Sequence, residues 1–280
     1  MICLYHSRDL DGLCSGAIVK RALPHVKLIG YDYGDDLPEI SPEESIVMID
    51  VSLPMDKMAE LASRVREFIW IDHHVSAINE FNAMTWPENV KAHLRVGVSA
   101  CELGWEYFFR GLPMPETVQM LGEYDTWRNQ DPARWRTVLE FQYGTRAMIT
   151  RPEDFDEWFF AGPGGWIMNA CQRGKAVLAY QEQVNAKQAK NAYEREVCGL
   201  PAVVINAGGF NSDLFKTVWN PARHKLMMCW QYDGKGWFTA SLYTTHEDVD
   251  CSVLAKNMGG GGHRKASGFR LSIEDINKLL

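Results

Sequence analysis

The sequence feature that most constrains this chain is the segment Phe68-Ile69-Trp70-Ile71-Asp72-His73-His74. Its first four residues predict a buried strand, because short apolar runs of β-branched and aromatic residues are typical of strands covered on both faces. The strand ends abruptly in one carboxylate and two imidazoles. Open α/β sheets bind their ligands at the carboxyl ends of their strands, so this strand end predicts a functional site.

Three other apolar segments end in ionisable residues, two of them predicted strands and one a predicted helix over 113–121. In chain order, the residues at these ends are His6, Asp9 and Asp11, then Asp50, and then Asp125. Asp11 has an alternative role, because an aspartate at this place can cap the helix predicted over 13–23. The acidic loop over 31–38 is instead expected to be solvated surface, and its aspartates are Asp32, Asp35 and Asp36.

The order of the predicted elements in the first part of the chain indicates an α/β fold. Strands alternate with helices at a spacing typical of βαβ units, which build a parallel sheet; the strands are expected over 2–5, 26–30, 45–49 and 68–71. The helix between the last two is expected over 54–67, with Pro54 in its first turn. A further helix is expected over 98–109, with Ser99 as its N-cap and Glu102 at the capping-box position.

The second part of the chain is predicted to contain a different arrangement of helices and strands. The aromatic stretch 141–160 is expected to be helical, and 166–196 to form one long helix that bridges two domains. Strands are then expected over 202–206, 226–232 and 237–243, the last two joined by a hairpin turn at 233–236, with a helix over 249–258. We therefore predict a doubly wound parallel-sheet domain over 1–160, a linker helix over 161–198 and a smaller mixed α/β domain over 199–280.

Composition narrows the class of protein. The 280 residues are 46% hydrophobic and 23% charged, as in a soluble globular protein. The seven cysteines form no Cys-x-x-Cys pair, which favours reduced thiols in a cytoplasmic protein over a zinc knuckle or a disulfide framework. Neither a membrane span nor a signal peptide is expected. A net charge of −7 argues against tracking along duplex DNA but permits a small phosphate-bearing substrate in one pocket.

The ionisable strand ends predict a metal centre if they meet at one edge of the sheet. Four carboxylates so close together cannot all stay ionised without cations, because burying unpaired charge is costly. Aspartate and histidine ligands without a thiolate suit a divalent ion such as Mn²⁺ or Mg²⁺. Two such ions about 3.5–4 Å apart would generate hydroxide and hold both oxygens of an in-line phosphoryl displacement, with no protein nucleophile required.

The glycine tract 259–262 predicts a second site. Successive glycines let the backbone approach a phosphate closely and direct several N–H groups at it. His263, Arg264 and Lys265 add positive charge at the same place, and arginine can bind a phosphate through two hydrogen bonds. The alternative is a flexible loop with solvated charges.

These motifs together resemble the DHH phosphoesterase family. The resemblance rests on Asp72-His73-His74, on His6-x-x-Asp9-x-Asp11-Gly12, on Asp50 and on Asp125-Thr126-Trp127-Arg128. The segment Gly-Gly-Gly-Gly-His-Arg-Lys-Ala-Ser-Gly-Phe over 259–269 is similar to the signature of the family's associated C-terminal domain. The family includes RecJ-like exonucleases, inorganic pyrophosphatases, exopolyphosphatase-like proteins, cyclic-dinucleotide phosphodiesterases and nano-RNases. The two-domain layout is most similar to a nano-RNase or oligoribonuclease.

The resemblance implies a two-Mn²⁺ centre, with Mg²⁺ or Co²⁺ as alternatives. Its implied ligands are Asp9, Asp11, Asp50, His73 and Asp125, with Asp50 or Asp125 bridging. His74 would face the scissile phosphate and Asp72 would orient a histidine. His6 stands three residues before Asp9, where many members have four, so it is a ligand, a substrate contact or neither. The implied substrate-binding residues are Gly261, Gly262, His263, Arg264 and Ser267, with Arg128 as a further candidate.

The leading functional hypothesis is a metal-dependent phosphodiesterase that releases mononucleotides from very short RNA or DNA. The alternative is a phosphatase or phosphodiesterase of a small molecule: polyphosphate, pyrophosphate, a cyclic dinucleotide or 3′-phosphoadenylate. A nucleotide sensor without activity is disfavoured, because the carboxylate set is complete. Bases could stack on Trp127, Trp135, Phe141 or Tyr143, although core packing explains any one of them. The expected partner is a short single-stranded oligonucleotide or a small phosphate ester and not a membrane; whether the protein is a homodimer stays open.

Overall fold

The computed structural model describes residues 1–33, 35–162 and 164–275. The chain divides into two compact units, residues 1–178 and 179–280, and the boundary lies inside a long helix. One sheet has five strands and the other six, and both are combined with helices. The prediction of an α/β chain with two sheets is therefore confirmed. No helix in the described ranges has both the length and the apolar character needed to cross a membrane.

The sheet of the first unit is entirely parallel and has the order β2-β1-β3-β4-β5. Its strands are β1 (Ile2–His6), β2 (Lys27–Tyr31), β3 (Ser45–Ile49), β4 (Glu67–Asp72) and β5 (Val90–Leu94). The chain runs outward in one direction from β1 to β2 and in the other from β3 to β5. The carboxyl ends of β1 and β3 therefore form a topological switch point, the usual ligand site of such a sheet.

Helices cover both faces of this sheet, because its strands are apolar on both sides. On β4, Phe68 and Trp70 pack into one buried cluster, and Ile69 and Ile71 pack into another on the opposite face. The helices of this unit are α1 (Leu10–Ala22), α2 (Met55–Arg64), α3 (Val75–Asn82), α4 (Ala100–Phe108), α5 (Glu116–Asp125), α6 (Pro132–Arg146) and α7 (Glu157–Ala161), followed by α8 (Gly165–Gln188), which crosses into the second unit.

Two helix boundaries differ from the predictions in ways that affect the site. Helix α1 begins at Leu10, because the carboxylate of Asp9 caps it by accepting the Gly12 N–H at 2.9 Å; the predicted cap, Asp11, lies in the first turn instead. Helix α5 continues through Gly122 to Asp125, so this aspartate ends a helix and does not follow one. Similarly, the stretch 141–160 is not one helix, because a turn of 3₁₀ helix at Pro152–Asp154 separates α6 from α7.

The second unit has a mixed sheet with the order β10-β11-β9-β8-β7-β6. Its strands are β6 (Tyr193–Val197), β7 (Leu200–Asn206), β8 (Leu226–Tyr232), β9 (Trp237–Tyr243), β10 (Gly261–Gly262) and β11 (Ala266–Ser272), and helix α9 (Cys251–Asn257) packs on one face. Strand β6 corrects the prediction that the long helix reaches residue 196. Cys198 and Gly199 both have positive φ, 53° and 76°, which closes a two-residue hairpin between β6 and β7.

Candidate metal centre

The first group of candidate ligands lies at the ends of β1 and β3. The Nδ1 atom of His6 is 3.2 Å from Oδ2 of Asp9 and 3.6 Å from Oδ2 of Asp50. Ligand atoms of these three residues all lie within 4.8 Å of one another, a spacing that could hold a metal ion. The three-residue spacing between His6 and Asp9 therefore still brings the imidazole to the carboxylates.

Asp50 has the most unusual environment of the candidate ligands. It follows β3 directly, is 2% exposed, and has φ of 61°, in the left-handed region. Its N–H donates to the carbonyl of Ile71 at 3.0 Å, which fixes the turn against β4. Oδ2 of Asp50 is buried and has no hydrogen-bond partner among the described residues. A buried carboxylate oxygen without a donor is costly, so this atom is suited to a cation.

His73 connects Asp50 to a second group of ligands. Its Nε2 atom is 3.2 Å from Oδ1 of Asp50, 3.5 Å from Oδ2 of Asp125 and 3.7 Å from Oδ2 of Asp11. Burial lowers the pKa of His73, but the surrounding aspartates, Asp125 first, outweigh burial and raise it well above the ordinary value. Burial, together with the charge of Asp50, raises the pKa of Asp11 to about 7. The aspartates thus favour the charged form of the His73 imidazole, and Asp50 disfavours ionisation of Asp11.

Asp11 is held by a helix other than its own. Its carboxylate accepts the N–H groups of Ala100 and Cys101 at 2.9 and 2.8 Å, at the N-terminus of α4. The helix dipole favours negative charge at that end. The predicted capping role of Asp11 is therefore wrong for α1, and the residue caps α4 instead.

Asp72 orients His74. Its Oδ1 atom accepts the N–H groups of His73 and His74 at 2.6 and 3.0 Å and lies 2.6 Å from Nδ1 of His74. Although burial alone would raise the pKa of Asp72, the charge and hydrogen bond of His74 lower it to about 2. Asp72 therefore stays ionised and holds the His74 ring through Nδ1.

Three ligand groups of the first unit overlap, and each could hold a metal ion. Asp50 belongs to the group with His6 and to the group with Asp72, His73 and His74, while His73 also belongs to the group with Asp11 and Asp125. The donor atoms are carboxylate oxygens and imidazole nitrogens, which suit Mn²⁺ and Mg²⁺ better than softer ions. Oδ2 of Asp125, like Oδ2 of Asp50, is buried without a hydrogen-bond partner in the described part of the chain. The residues present are therefore chemically suited to bind a divalent metal ion.

Asp32 contacts a candidate ligand, an arrangement that the sequence prediction missed. It was expected to be solvated surface, but its Oδ1 is 3.5 Å from Nε2 of His6 and its Oδ2 is 2.6 Å from Nε of Arg8. The contact to His6, together with Arg8, lowers the pKa of Asp32 to about 2. The contact follows from the strand pairing, which the sequence did not reveal. Strand β1 pairs in parallel with β2, so that His6 lies opposite Tyr31, the residue before Asp32.

Arg128 contacts the first turn of α4, the helix whose N-terminus binds Asp11. Its Nη2 atom is 2.6 Å from Oε2 of Glu102, a residue only 4% exposed. The same Glu102 oxygen accepts the Ser99 N–H at 3.1 Å and completes the predicted capping box of α4. Arg128 thus supports the helix end that holds Asp11, and its predicted role as a substrate contact stays a prediction.

The glycine tract of the second unit forms a hairpin. Gly261 pairs with Gly268 and Gly262 pairs with Ser267, whose hydroxyl donates to the carbonyl of His263 at 2.6 Å. Arg264 donates to the carbonyl of Glu247, and Nζ of Lys265 lies 2.6 Å from the carbonyl of His246. The segment is therefore an ordered turn with three basic or imidazole side chains, and its predicted role in anion binding stays a prediction.

Comparison with known proteins finds a family match for the first part of the chain. Residues 1–122 match the model described as the DHH family, N-terminal domain. This match confirms the resemblance of the first part of the chain to the DHH family. The chain is 23% identical to the oligoribonuclease NrnB of Bacillus subtilis (strain 168), over 98% of this chain and 74% of that protein. It is 25% identical to an uncharacterized protein of Acanthamoeba polyphaga mimivirus, over 97% and 67% of the two chains.

Two solved structures align with nearly the whole chain at low identity. The pGpG-specific phosphodiesterase PggH from Vibrio cholerae has a TM-score of 0.48 at 12% identity, covering 99% of this chain and 95% of that chain. An exopolyphosphatase-related protein from Bacteroides fragilis has a TM-score of 0.49 at 13% identity, covering 99% and 88%. These values are too low to carry an argument about function.

Proposed function

We propose that this protein is a metal-dependent phosphodiesterase that hydrolyses short oligonucleotides to nucleoside monophosphates. The observation that carries the proposal is the set of overlapping carboxylate and imidazole groups at the switch point of the parallel sheet. The similarity of residues 1–122 to the DHH family supports phosphoester hydrolysis. The relative named as an oligoribonuclease, which aligns with 98% of this chain, supports short oligonucleotides as the substrate class.

The proposed ligands of two divalent ions, Mn²⁺ in the first place, are Asp9, Asp11, Asp50, His73, Asp125 and His6. When bound, the ions supply hydroxide at neutral pH and stabilise the charge that develops on the phosphate oxygens. Asp50 is the proposed shared ligand, because its two oxygens face different imidazoles: Oδ1 lies 3.2 Å from His73 and Oδ2 lies 3.6 Å from His6.

His74 is the proposed contact to the scissile phosphate. Since Asp72 holds the ring through Nδ1, Nε2 is the atom that would meet a phosphate oxygen. His74 is 17% exposed, whereas Asp72 is fully buried, so only the histidine can be reached by a ligand. Asp72 would then act as a positioning residue that fixes the tautomer of His74.

The hairpin turn of the second unit is the proposed binding element for another phosphate of the substrate. His263 and Arg264 supply the charged groups, and Gly261, Gly262 and Ser267 shape the turn. Binding of a distant phosphate is the proposed basis of a preference for short substrates. Arg264→Ala is therefore expected to raise KM or relax the length preference; a slower chemical step with unchanged substrate binding would contradict this role.

The test is turnover with Mn²⁺ on a panel of substrates: single-stranded RNAs from dinucleotides to long chains, pyrophosphate, polyphosphate, cyclic dinucleotides and 3′-phosphoadenylate. The expected result is release of mononucleotides, fastest from the shortest RNAs. Release of inorganic phosphate from a small anhydride or monoester, with RNA intact, would refute the oligonucleotide proposal while retaining the metal centre. Asp36→Asn is a suitable control variant, because this aspartate is exposed and lies outside the ligand groups.

A further inference from the structure

Trp127 occupies a backbone conformation that glycine ordinarily adopts. Helix α5 ends at Asp125, and Trp127 follows with φ of 56°, in the left-handed region. Its N–H donates to the carbonyl of Tyr124 at 3.2 Å, and the N–H of Arg128 donates to the carbonyl of Glu123 at 2.9 Å. This pair of bonds is a Schellman motif, in which glycine is the common residue at the left-handed position. A bulky residue held there against its preference points to a function.

The indole ring of Trp127 contacts another tryptophan and is partly exposed. Trp127 is 40% exposed, although tryptophans are highly buried on average. Its ring centroid lies 5.6 Å from that of Trp135, and Trp135 in turn stacks on Tyr124 at 6.0 Å with an angle of 8°. The partly exposed indole therefore packs against a partly buried aromatic cluster formed by Trp135 and Tyr124.

The position of this ring is tied to the metal centre. Trp127 is two residues from Asp125, so their Cα atoms are at most about 7 Å apart. Oδ2 of Asp125 lies 3.5 Å from Nε2 of His73. On the other side of Trp127, the contact of Arg128 with Glu102 at 2.6 Å anchors the chain to α4. Fixed points on both sides therefore hold the backbone of Trp127 close to Asp125, a candidate ligand.

We infer that Trp127 is a stacking platform for a nucleobase of the substrate. This inference rests on the proposed function and narrows the substrate class to nucleotides, as opposed to inorganic phosphoanhydrides. Stacking on an indole tolerates every base, which suits an enzyme that degrades oligonucleotides without regard to sequence. It also supplies affinity that does not depend on positive charge, in a chain whose net charge is −7.

The test compares two ligands that differ only in the base. Isothermal titration calorimetry on the Mn²⁺-loaded full chain would measure the Kd of adenosine 5′-monophosphate and of ribose 5-phosphate. The wild-type protein is expected to bind the nucleotide more tightly, and Trp127→Leu is expected to weaken nucleotide binding by about 5- to 100-fold while leaving ribose 5-phosphate unchanged. Trp127→Phe should retain most of the preference. Equal binding of both ligands by the wild type, or an equal loss of both in Trp127→Leu, would overturn the inference.

Two further variants separate stacking from stability. Trp127→Gly removes the ring but relieves the strained backbone, so its melting temperature should be no lower than that of Trp127→Leu, with the same loss of nucleotide preference. Trp158→Leu, which replaces another exposed tryptophan (49%), should leave the preference intact. If Trp158→Leu removed it equally, the platform would not be Trp127. Failure of the oligonucleotide proposal is distinguishable, because RNA would then stay intact while the preference for the nucleotide persisted.

Discussion

Asp50→Asn should stabilise the metal-free protein and remove most of the stabilisation that metal provides. The side chain is 2% exposed, and its Oδ2 atom has no hydrogen-bond partner in the described residues. Leaving a buried polar atom unsatisfied costs about 1–3 kcal/mol, and more for a charged one. Asparagine removes the charge, offers an N–H₂ group to the neighbouring carboxylates, and tolerates the left-handed backbone at φ of 61°. We therefore expect a gain of about 1–3 kcal/mol in the free energy of unfolding without metal.

The backbone conformation supplies an internal control. Asp50→Ala removes the same charge, but alanine in the left-handed region costs about 1–2 kcal/mol that asparagine largely avoids. The alanine variant should thus be less stable than the asparagine variant by about 1 kcal/mol. If the two were equally stable, the conformation at φ of 61° would not be a constraint in solution.

The assay is urea unfolding in excess chelator and again in excess Mn²⁺. At a metal concentration 100 times the Kd, a ligand that binds only the folded state adds about 2.7 kcal/mol. The wild type should gain this amount, whereas Asp50→Asn should gain little, so the order of stability should reverse between the two conditions. A lower stability of Asp50→Asn in chelator would refute the reasoning, because its carboxylate would then be stabilised by His73 and His6 even without metal.

Three further predictions concern the surroundings of the ligands. Asp32→Asn should lower Mn²⁺ affinity by about 10- to 100-fold by releasing the ring of His6, measured by calorimetry; an unchanged Kd would contradict a positioning role. Because the pKa of Asp11 is raised to about 7 and that of His73 is also raised, metal should displace protons near neutral pH, and affinity should fall as the pH is lowered. Calorimetry in buffers of different ionisation enthalpy should show this proton release, and its absence would contradict the raised pKa values. Gly122→Ala should lower the melting temperature by several degrees, because a Cβ there would collide with the buried Glu102 carboxylate. An unchanged melting temperature would contradict this close contact.

The sequence predicted those elements whose local signals agree with their tertiary setting. Strands β3, β8 and β9 begin and end where the pattern places them, because apolar alternation and the glycine-rich turn at 233–236 point to the same boundaries. The capping box at Ser99 and Glu102 was readable for the same reason. Strand β6 was missed because its residues, Tyr193–Val197, are mostly exposed and charged, so they lack the apolar pattern of a core strand.

Long-range contacts limited the prediction of the candidate site. The ionisable residues that the resemblance implied do meet, but the sequence could not show that Asp11 is bound by α4, some 89 residues further on. It also could not show that Asp32 faces His6, because nothing in the acidic loop separates it from its solvated neighbours. Both contacts depend on which strands and helices are adjacent, a property of the topology and not of the local sequence.

Asp9 and Asp11 illustrate why substitution of a ligand is not by itself proof of a metal centre. Asp9 caps α1 and Asp11 caps α4, so each holds a helix N-terminus as well as facing the site. Replacing such a cap with alanine costs about 1 kcal/mol of stability, and an inactive variant could therefore be a damaged fold. Asp50 caps no helix, and its Oδ2 atom has no hydrogen-bond partner among the described residues, so its replacement by asparagine is expected to stabilise the metal-free fold. Loss of metal binding together with a gain in stability is a result that a merely structural role for Asp50 could not produce.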